Sequence, residues 1–367
     1  DPHTKEVKKV VSARALWVKI LQNRMETGEP YVMFEDAVNN DLPSFQQKKG
    51  LYVNHSNLCS EITLPTNEER TAVCCLSSVN LEYFDEWKNH ASFIPDLVRF
   101  LDNVLQYFID NAPSQLEKAK YSAYRERSIG LGAMGFHAYL QKNSIPFEGP
   151  VAASANHMIF KHIKDDAMEE TLQLAVERGA CPDDDSCRVR NAHLLAIAPN
   201  ASSSIICGNT SPSIEPFRAN AYTQKTKSGS YLQKNKFLEE LLEKYGKNDD
   251  KTWRDIVTNK GSVQHLEFLS DMEKEVFKTA VEINQAWVIE HAAERQQFIC
   301  QSQSLNLFFP PDVNKGELHN IHMVAWAKNL KTLYYLRSEA ISRADNVSNE
   351  VKREIIFEQQ DCLSCEG

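Results

Sequence analysis

The sequence has 367 residues, of which 42% are hydrophobic and 25% are charged, so the chain can bury a large core in one or two domains. Its 41 basic and 50 acidic residues give a net charge of −9 without a basic cluster, which argues against an electrostatic nucleic-acid binder. No apolar run approaches the roughly 20 residues of a membrane-spanning helix, and the amphipathic start is unlike a secretion signal. A soluble, cytoplasmic protein is expected.

Apolar periodicity and Gly/Pro punctuation predict helices that alternate with short apolar strands. In chain order the predicted elements are a helix over 1–27, a strand or pocket wall at 31–34, strands and loops at 51–53, 61–64 and 73–79, helices over 91–110, 113–124 and 151–179, a strand at 194–198, helices near 234–246 and 270–297, a strand at 304–309, a helix near 315–329 and a strand at 332–336. This alternation predicts an α/β fold with buried, largely parallel strands. Residues 361–367 lack periodicity and are predicted to form a flexible tail.

The segment Asn57-Leu58-Cys59-Ser60-Glu61 places an amide and a carboxylate two residues on either side of a thiol. On an extended backbone the three side chains would share one face. Such a face could hydrogen-bond a diol while the carboxylate removes a proton. The alternative is a strand edge with incidental polar residues.

The nine cysteines are an odd number in a large chain without a secretion signal, which is unlike a disulfide framework. Buried, reduced thiols are therefore the default expectation. The adjacent Cys74 and Cys75 would point to opposite faces of a strand, one towards a site and one into the core. Two buried thiols remain the alternative.

Cys362 and Cys365 form a CxxC pair, which in a cytosolic chain indicates either a redox dithiol or half of a zinc site. A zinc site needs a second ligand pair, and only His319 and His322 offer one. We favour the redox interpretation, because a dithiol on a flexible tail can enter a site and then swing out for thiol–disulfide exchange.

A loop of small residues, Pro199 to Ser204, follows the apolar strand at 194–198. Its hydroxyls and backbone amides could bind a phosphate or diphosphate, although an ordinary strand-to-helix cap is equally compatible. Tyr334 and Tyr335 lie in a predicted strand, where adjacent tyrosines are normally packing residues.

Residues 130–135 match GxGxxG, but the preceding residues 124–127 are polar and helix-prone rather than an apolar strand. A dinucleotide site is therefore rejected. The glycines are predicted to allow close packing of a helix.

Together these motifs resemble, in their order and over essentially the whole chain, those of class I ribonucleotide reductase large subunits. The resembling segments are the radical-bearing finger loop at 57–61, the active-site cysteine segment at 72–77, the glycine-bearing helix at 127–132, the substrate-phosphate loop at 199–203 and the radical-transfer tyrosines at 333–335. The resemblance implies the second half of a ten-stranded α/β barrel with a central finger loop over residues 1–360, followed by a flexible redox tail over 361–367.

The resemblance also implies a function: reduction of ribonucleoside diphosphates for deoxyribonucleotide biosynthesis and DNA replication, by a thiyl-radical mechanism. Cys59 would carry the radical, Glu61 would take the 3′-hydroxyl proton and Asn57 would hold the substrate hydroxyls. The implied substrate-binding residues are Asn57, Leu58, Cys59, Ser60, Glu61, Pro199, Asn200, Ala201, Ser202 and Ser203.

The implied redox chemistry needs several partners. Cys74 would be one thiol of the reducing pair, and Cys362/Cys365 would reduce the resulting disulfide before regeneration by thioredoxin or glutaredoxin. Tyr334 and Tyr335 would carry the radical from a metal-containing small subunit, so no cofactor or metal is expected on this chain itself. Nucleic acid and membrane partners are not expected.

The sequence has no cysteine before Cys59, whereas the resemblance places the second thiol of the pair, and the allosteric effector sites, in a preceding half-barrel. An N-terminal companion chain is therefore predicted to complete the site. Two alternatives remain: a non-catalytic assembly or regulatory remnant of the same fold, and a simple thiol–disulfide oxidoreductase that would use only the tail pair.

Overall fold

A computed structural model describes residues 4–226 and 229–338 of the chain. The predicted tail at 361–367, with its Cys362 and Cys365, therefore lies outside the described residues. Within the described ranges, no helix is long and apolar enough to cross a membrane.

The described chain contains fourteen α-helices and eight strands. The helices are α1 (Ala13–Thr27), α2 (Glu35–Asn40), α3 (Ser44–Lys48), α4 (Phe84–Trp87), α5 (Phe93–Asn111), α6 (Glu117–Glu126), α7 (Phe136–Lys142), α8 (Pro150–Arg178), α9 (Ser203–Ile206), α10 (Lys236–Lys244), α11 (Asp250–Thr258), α12 (Asp271–Val276), α13 (Gln285–Gln296) and α14 (Lys315–Ala327). The strands are β1 (Val32–Met33), β2 (Leu76–Asn80), β3 (Gly130–Met134), β4 (Ala221–Thr226), β5 (Gly229–Lys234), β6 (Leu307–Phe309), β7 (Thr332–Leu333) and β8 (Leu336–Ser338).

Parallel pairing connects the centre of the fold. β2 pairs with β3. On its other side, β3 pairs with the segment at 194–198 through a parallel bridge between Leu131 and Leu195, and a second parallel bridge joins Ile197 of that segment to Gln303. The chain that follows this second bridge enters β6, which pairs with β8, again in parallel. All five residues of β3 are buried, as expected for parallel strands covered on both faces. The predicted α/β fold with buried parallel strands is confirmed.

Long helices cover these strands. The apolar positions of α5 recur at helical spacing, so Ile94, Val98, Leu101 and Leu105 are buried on one face. α8 begins with Pro150 at its first turn and ends at Gly179, which gives both ends the residues that helix termini favour. These helices share one hydrophobic cluster with the strands.

Two predicted helices were wrong in their extent, and three elements were missed. The first helix begins only at Ala13, where the Ser12 side chain caps it, because the apolar residues before it remain exposed. The helix predicted over 270–297 is two helices, since Ser270 forms a capping box on α12 and Asn284 caps α13. The β4–β5 hairpin and α11 were not predicted.

The predicted glycine-bearing helix is also wrong, because residues 130–134 form strand β3. A Cβ on Gly130 would lie 2.3 Å from Leu76 Cδ2, and one on Gly132 would lie 2.5 Å from the Ala196 carbonyl oxygen. The glycines therefore let neighbouring strands approach closely. Their spacing indicated close packing correctly, but it did not indicate which element packs.

Candidate active site

Residues 57–62 form a tight loop rather than an extended strand. The Ser60 amide donates to the Asn57 carbonyl at 3.2 Å, and the Asn57 amide donates to the Ile62 carbonyl at 3.2 Å. Asn57 Oδ1 accepts from the Ile62 amide at 3.0 Å, while Ser60 has a φ of 69°. The face that alternation predicted for an extended segment is therefore wrong, because a left-handed residue reverses the chain.

The loop is tied to the strands behind it by hydroxyl groups. Ser304 Oγ donates to Glu61 Oε2 at 3.1 Å and also to the Cys59 carbonyl. Thr332 Oγ1 donates to the Ser60 carbonyl at 2.9 Å, and the Ser302 amide donates to the Glu61 carbonyl at 2.9 Å. These contacts fix the tip of the loop at the ends of two parallel segments.

Burial separates the side chains of this loop. Cys59 and Glu61 are buried, Asn57 is half-buried and Leu58 is 60% exposed. Desolvation raises the pKa of Glu61, although hydrogen bonds from Asn57 and Ser304 partly oppose that change. Asn57 and Glu61 thus meet despite the turn. A buried carboxylate with a raised pKa is suited to proton transfer near neutral pH.

Cys74 and Cys75 point in different directions, as predicted. Cys75 lies in the main hydrophobic cluster, with its sulfur 3.6 Å from the Leu101 carbonyl oxygen. Cys74 is exposed to solvent, yet desolvation by the surrounding protein and then the charge of Glu61 raise its pKa to about 12. Cys59 contributes to the same rise, so both thiols share one neighbourhood with the carboxylate.

The two tyrosines do not lie in a regular strand but between β7 and β8. Their ring centroids are 4.4 Å apart. The pKa of Tyr334 is raised by desolvation and by interactions with Cys59 that include a side-chain hydrogen bond. Tyr31, which the sequence analysis assigned only to a strand or pocket wall, packs against both rings.

The small-residue loop leads into the short helix α9, as the sequence indicated, but its first polar side chain faces inward. Asn200 Nδ2 donates to Ser78 Oγ at 3.1 Å, to the Ala133 carbonyl at 3.2 Å and to the Ala198 carbonyl at 3.0 Å. This amide therefore fixes the loop on the strands. Ala201 and Ser202 are exposed and Ser203 is half-buried, so they remain accessible to a ligand.

A cavity of about 280 Å³ lies beside this loop. Ala201 and Ser204 line one part of it, and Arg218 and Lys234 contribute positive charge. The sequence analysis missed both cations, because only the fold brings β5 and the segment before β4 to the small-residue loop. The same holds for Ser304, whose hydroxyl anchors Glu61.

Among the described residues, no group of three or more His, Cys, Asp or Glu side chains could hold a metal ion. The alternative zinc interpretation also needs Cys362 and Cys365, which lie outside the described residues. His319 Nδ1 accepts from Trp17 Nε1 at 2.9 Å. His322 is buried and contacts the Leu318 carbonyl at 2.7 Å. The HxxH pair therefore serves helix packing.

Comparison with known proteins identifies the family. The family model described as "Ribonucleotide reductase, barrel domain" matches residues 2–188 and 185–336. The chain is 50% identical to the ribonucleoside-diphosphate reductase large subunit of Invertebrate iridescent virus 3, with 100% of the chain and 59% of that protein covered. It is 31% identical to the corresponding subunit of Danio rerio, over 98% of the chain and 49% of that protein.

A solved structure supports the same relationship. The class Id ribonucleotide reductase alpha subunit of Actinobacillus ureae superposes with a TM-score of 0.84 at 41% identity, covering 93% of this chain and 63% of that one. The chain thus spans about 60% of the length of its viral relative. Fold, motif order and all of these comparisons agree: the chain belongs to the ribonucleotide reductase barrel-domain family.

Proposed function

We propose that this chain is the C-terminal part of the catalytic barrel of a ribonucleoside-diphosphate reductase large subunit, and that its finger loop reduces the ribose. The observation that carries the proposal is the convergence of three distant segments. A side-chain hydrogen bond links Cys59 to Tyr334, and desolvation, together with the neighbouring Glu61 and Cys59, raises the pKa of the Cys74 thiol. A thiol, a base, a second thiol and a phenol thus meet at one loop.

In the proposed reaction, Cys59 as a thiyl radical takes the 3′ hydrogen atom of the ribose. Glu61 accepts the 3′-hydroxyl proton, and the Asn57 amide holds the substrate hydroxyls. The 2′-hydroxyl takes a proton from the reducing dithiol and leaves as water. The dithiol then gives the remaining ribose radical a hydrogen atom and a further electron as its two sulfurs form a disulfide, and Glu61 returns its proton to the 3′ oxygen. Cys59 finally returns a hydrogen atom to the 3′ carbon and becomes a radical again. The raised pKa of Glu61 suits a group that must take up a proton and release it later.

Cys74 supplies one of the two reducing thiols in this proposal. Its high pKa keeps the sulfur protonated at neutral pH, so it can donate a hydrogen atom to the ribose radical. The second thiol would come from the preceding half of the barrel, on an N-terminal companion segment. Cys362 and Cys365 would then reduce the disulfide by exchange, with thioredoxin or glutaredoxin as the external dithiol.

The substrate diphosphate would bind at the small-residue loop, with Pro199, Asn200, Ala201, Ser202 and Ser203 forming its floor. The cavity beside this loop is lined by Arg218 and Lys234, whose charge complements an anion. Asn200 contributes by holding the loop against the strands. Binding energy from this remote group would orient the ribose over Cys59.

Tyr334 and Tyr335 would relay the radical between Cys59 and a metal-containing small subunit. The Tyr334 phenoxyl oxygen gains the hydrogen atom that Cys59 Sγ loses, so one O–H bond forms and one S–H bond breaks. Contact between Tyr334 and both Cys59 and Tyr335 supports this order. A remnant without catalysis would have no need for such a contact.

The test uses the full-length large subunit with its small subunit, a ribonucleoside diphosphate and a dithiol reductant. Formation of the deoxyribonucleoside diphosphate is measured for the unaltered protein and for Cys59→Ala. The proposal expects turnover that the substitution abolishes. Equal product formation by both proteins would favour the non-catalytic remnant with a contaminating activity.

A further inference from the structure

A third tyrosine, Tyr31, completes an aromatic cluster around the proposed relay. Its ring centroid lies 4.6 Å from that of Tyr334 and 4.9 Å from that of Tyr335. The Tyr334 and Tyr335 centroids are themselves 4.4 Å apart. Each ring of the cluster therefore contacts the other two.

Strand pairing explains how residues more than 300 positions apart meet. β1 pairs antiparallel with β7, with Val32 opposite Leu333 and Met33 opposite Thr332. Continuing this register by one residue places Tyr31 opposite Tyr334. Arg24 reinforces the join, because its buried guanidinium donates to the Tyr334 carbonyl at 3.0 Å and also to the Pro30 carbonyl.

The Tyr31 hydroxyl does more than fill space. Desolvation and then hydrogen bonding with Tyr335 raise the pKa of Tyr31, whereas hydrogen bonding with Tyr334 lowers it. The hydroxyl also donates to Glu29 Oε1 at 3.3 Å. A phenylalanine would pack equally well against two rings, since the ring contacts need no hydroxyl. The hydroxyl therefore contributes a polar link between two groups that exchange a hydrogen atom.

We propose that Tyr31 is a positioning residue of the relay, whose hydroxyl holds the phenol oxygens of Tyr334 and Tyr335 at the separation that hydrogen-atom transfer needs. This inference rests on the proposed function. In the step concerned, the Tyr335 phenoxyl oxygen gains the hydrogen atom that the Tyr334 hydroxyl loses. The one-electron oxidant that first forms the Tyr335 radical is the metal-containing small subunit. Tyr31 keeps its own hydrogen atom throughout.

The experiment compares Tyr31→Phe with the unaltered full-length subunit in complex with the small subunit. Loss of one hydrogen bond is worth about 0.5–1.5 kcal/mol, so kcat should fall about two- to tenfold while KM for the nucleotide stays within about twofold. Tyr139→Phe is the matched control. It removes the hydroxyl of a buried tyrosine outside the relay, on α7, and should leave kcat unchanged.

A spectroscopic readout separates positioning from packing. An easily oxidised aminotyrosine at position 335 traps the radical, and the electron paramagnetic resonance g-values of a phenoxyl radical report hydrogen bonds to its oxygen. Tyr31→Phe retains the ring but should shift these g-values. Unchanged g-values and unchanged kcat would overturn the inference, as would an effect confined to KM or thermal stability.

Two further variants distinguish failure of this inference from failure of the proposed function. Cys59→Ala and Tyr334→Phe should each abolish turnover if the relay operates. If both do so while Tyr31→Phe is indistinguishable from the unaltered protein, only the role of Tyr31 is rejected. If neither does so, the proposed function fails and the role of Tyr31 fails with it.

Discussion

Asp102 and Glu61 are both buried carboxylates, but the protein shifts their pKa values in opposite directions. Asp102 on α5 is fully buried and accepts hydrogen bonds from Arg127 at 2.8 Å and Arg178 at 3.0 Å. Burial alone would raise its pKa, but these cations and Arg190 hold it below its usual range. Glu61 is almost as deeply buried and has only an amide and a hydroxyl as side-chain partners that influence its pKa, which is raised.

This difference in pKa indicates that Asp102 has a structural role and that Glu61 is suited to proton transfer. A buried charge that is fully paired stays ionised and holds elements together, whereas removal of one partner is strongly destabilising. A buried carboxylate without a cation carries a desolvation cost, which makes it a more ready proton acceptor. The ion cluster around Asp102 therefore serves the scaffold, whereas neutral side chains hydrogen-bond the Glu61 carboxylate of the finger loop, which suits it to proton transfer.

The largest expected effect is on the thiol at the centre of the loop. Cys59→Ala should reduce turnover by more than about 10³-fold, because no other group can take its place as the radical carrier. Product formation by the reconstituted full-length enzyme measures this. Cys75→Ala is the matched control, since Cys75 faces the core, and it should keep its activity. A comparable loss of turnover in Cys59→Ala and Cys75→Ala would contradict the distinction between a reactive finger loop and a structural core.

Glu61→Gln should lower kcat by about 10²- to 10⁴-fold, the range expected when a general base is removed. Glutamine keeps the size of the side chain and can still bond to Ser304, so the loop should persist. The control is Glu170→Gln, at a buried position on α8 that pairs with Arg99 instead. Its kcat should match that of the unaltered enzyme. A fully active Glu61→Gln would remove the proposed base.

Asp102→Asn should destabilise the folded protein by about 3–5 kcal/mol, because three arginines lose their shared carboxylate. Urea unfolding of the full-length subunit measures the change. Asp110→Asn on the same helix is the control, as this exposed residue contacts only Gln106 among the described hydrogen bonds, and its effect should stay within about 0.5 kcal/mol. A neutral Asp102→Asn would show that the cluster does not stabilise the scaffold.

The pH dependence of stability should have opposite signs in the two regions. The pKa of Asp102 is lowered by folding, so its contribution is present above about pH 4 and is lost as the pH falls towards the folded pKa. The pKa of Glu61 is raised, so its cost is absent below about pH 4 and grows as the pH rises through the folded pKa. Glu61→Gln should therefore gain stability relative to the unaltered protein with increasing pH. Asp102→Asn should lose it.

Two cysteines, Cys300 and Cys74, also have pKa values shifted in opposite directions, and we expect a smaller experimental effect from them. The sulfur of Cys300 accepts from the amides of Leu194 at 3.0 Å and Leu195 at 3.2 Å. Although burial opposes it, the Lys164 charge and a hydrogen bond with His193 lower the Cys300 pKa to about 5. The pKa of Cys74, beside the Glu61 carboxylate, is about 12.

Alkylation by iodoacetamide between pH 6 and 8, followed by mass spectrometry, should therefore show little pH dependence at Cys300, because its thiolate is already formed. The rate at Cys74 should rise about tenfold per pH unit, in proportion to its small thiolate fraction. Cys300→Ser and Cys74→Ser assign each modified site. Equal pH dependence at both positions would contradict the charge environments described for them.

The sequence alone predicted the class of fold, the order of the motifs and the residues of the finger loop. Local information sufficed for α5, α8 and α14, because apolar periodicity and terminal residues are properties of a short segment. It also sufficed to predict that Cys74 and Cys75 point in different directions. It failed at residues 130–134, since glycines that permit close approach look alike in a strand and at a helix contact.

Only the tertiary structure decided how the loop is built and what surrounds it. The turn at Ser60 depends on contacts with Ser304 and Thr332, more than 240 residues away. Tyr31 meets Tyr334 through a strand pairing that no local pattern encodes. The shifts in the pKa of Glu61 and Cys74 arise from burial and neighbouring charge. A sequence can name the groups that react, but their proximity and protonation come from long-range packing.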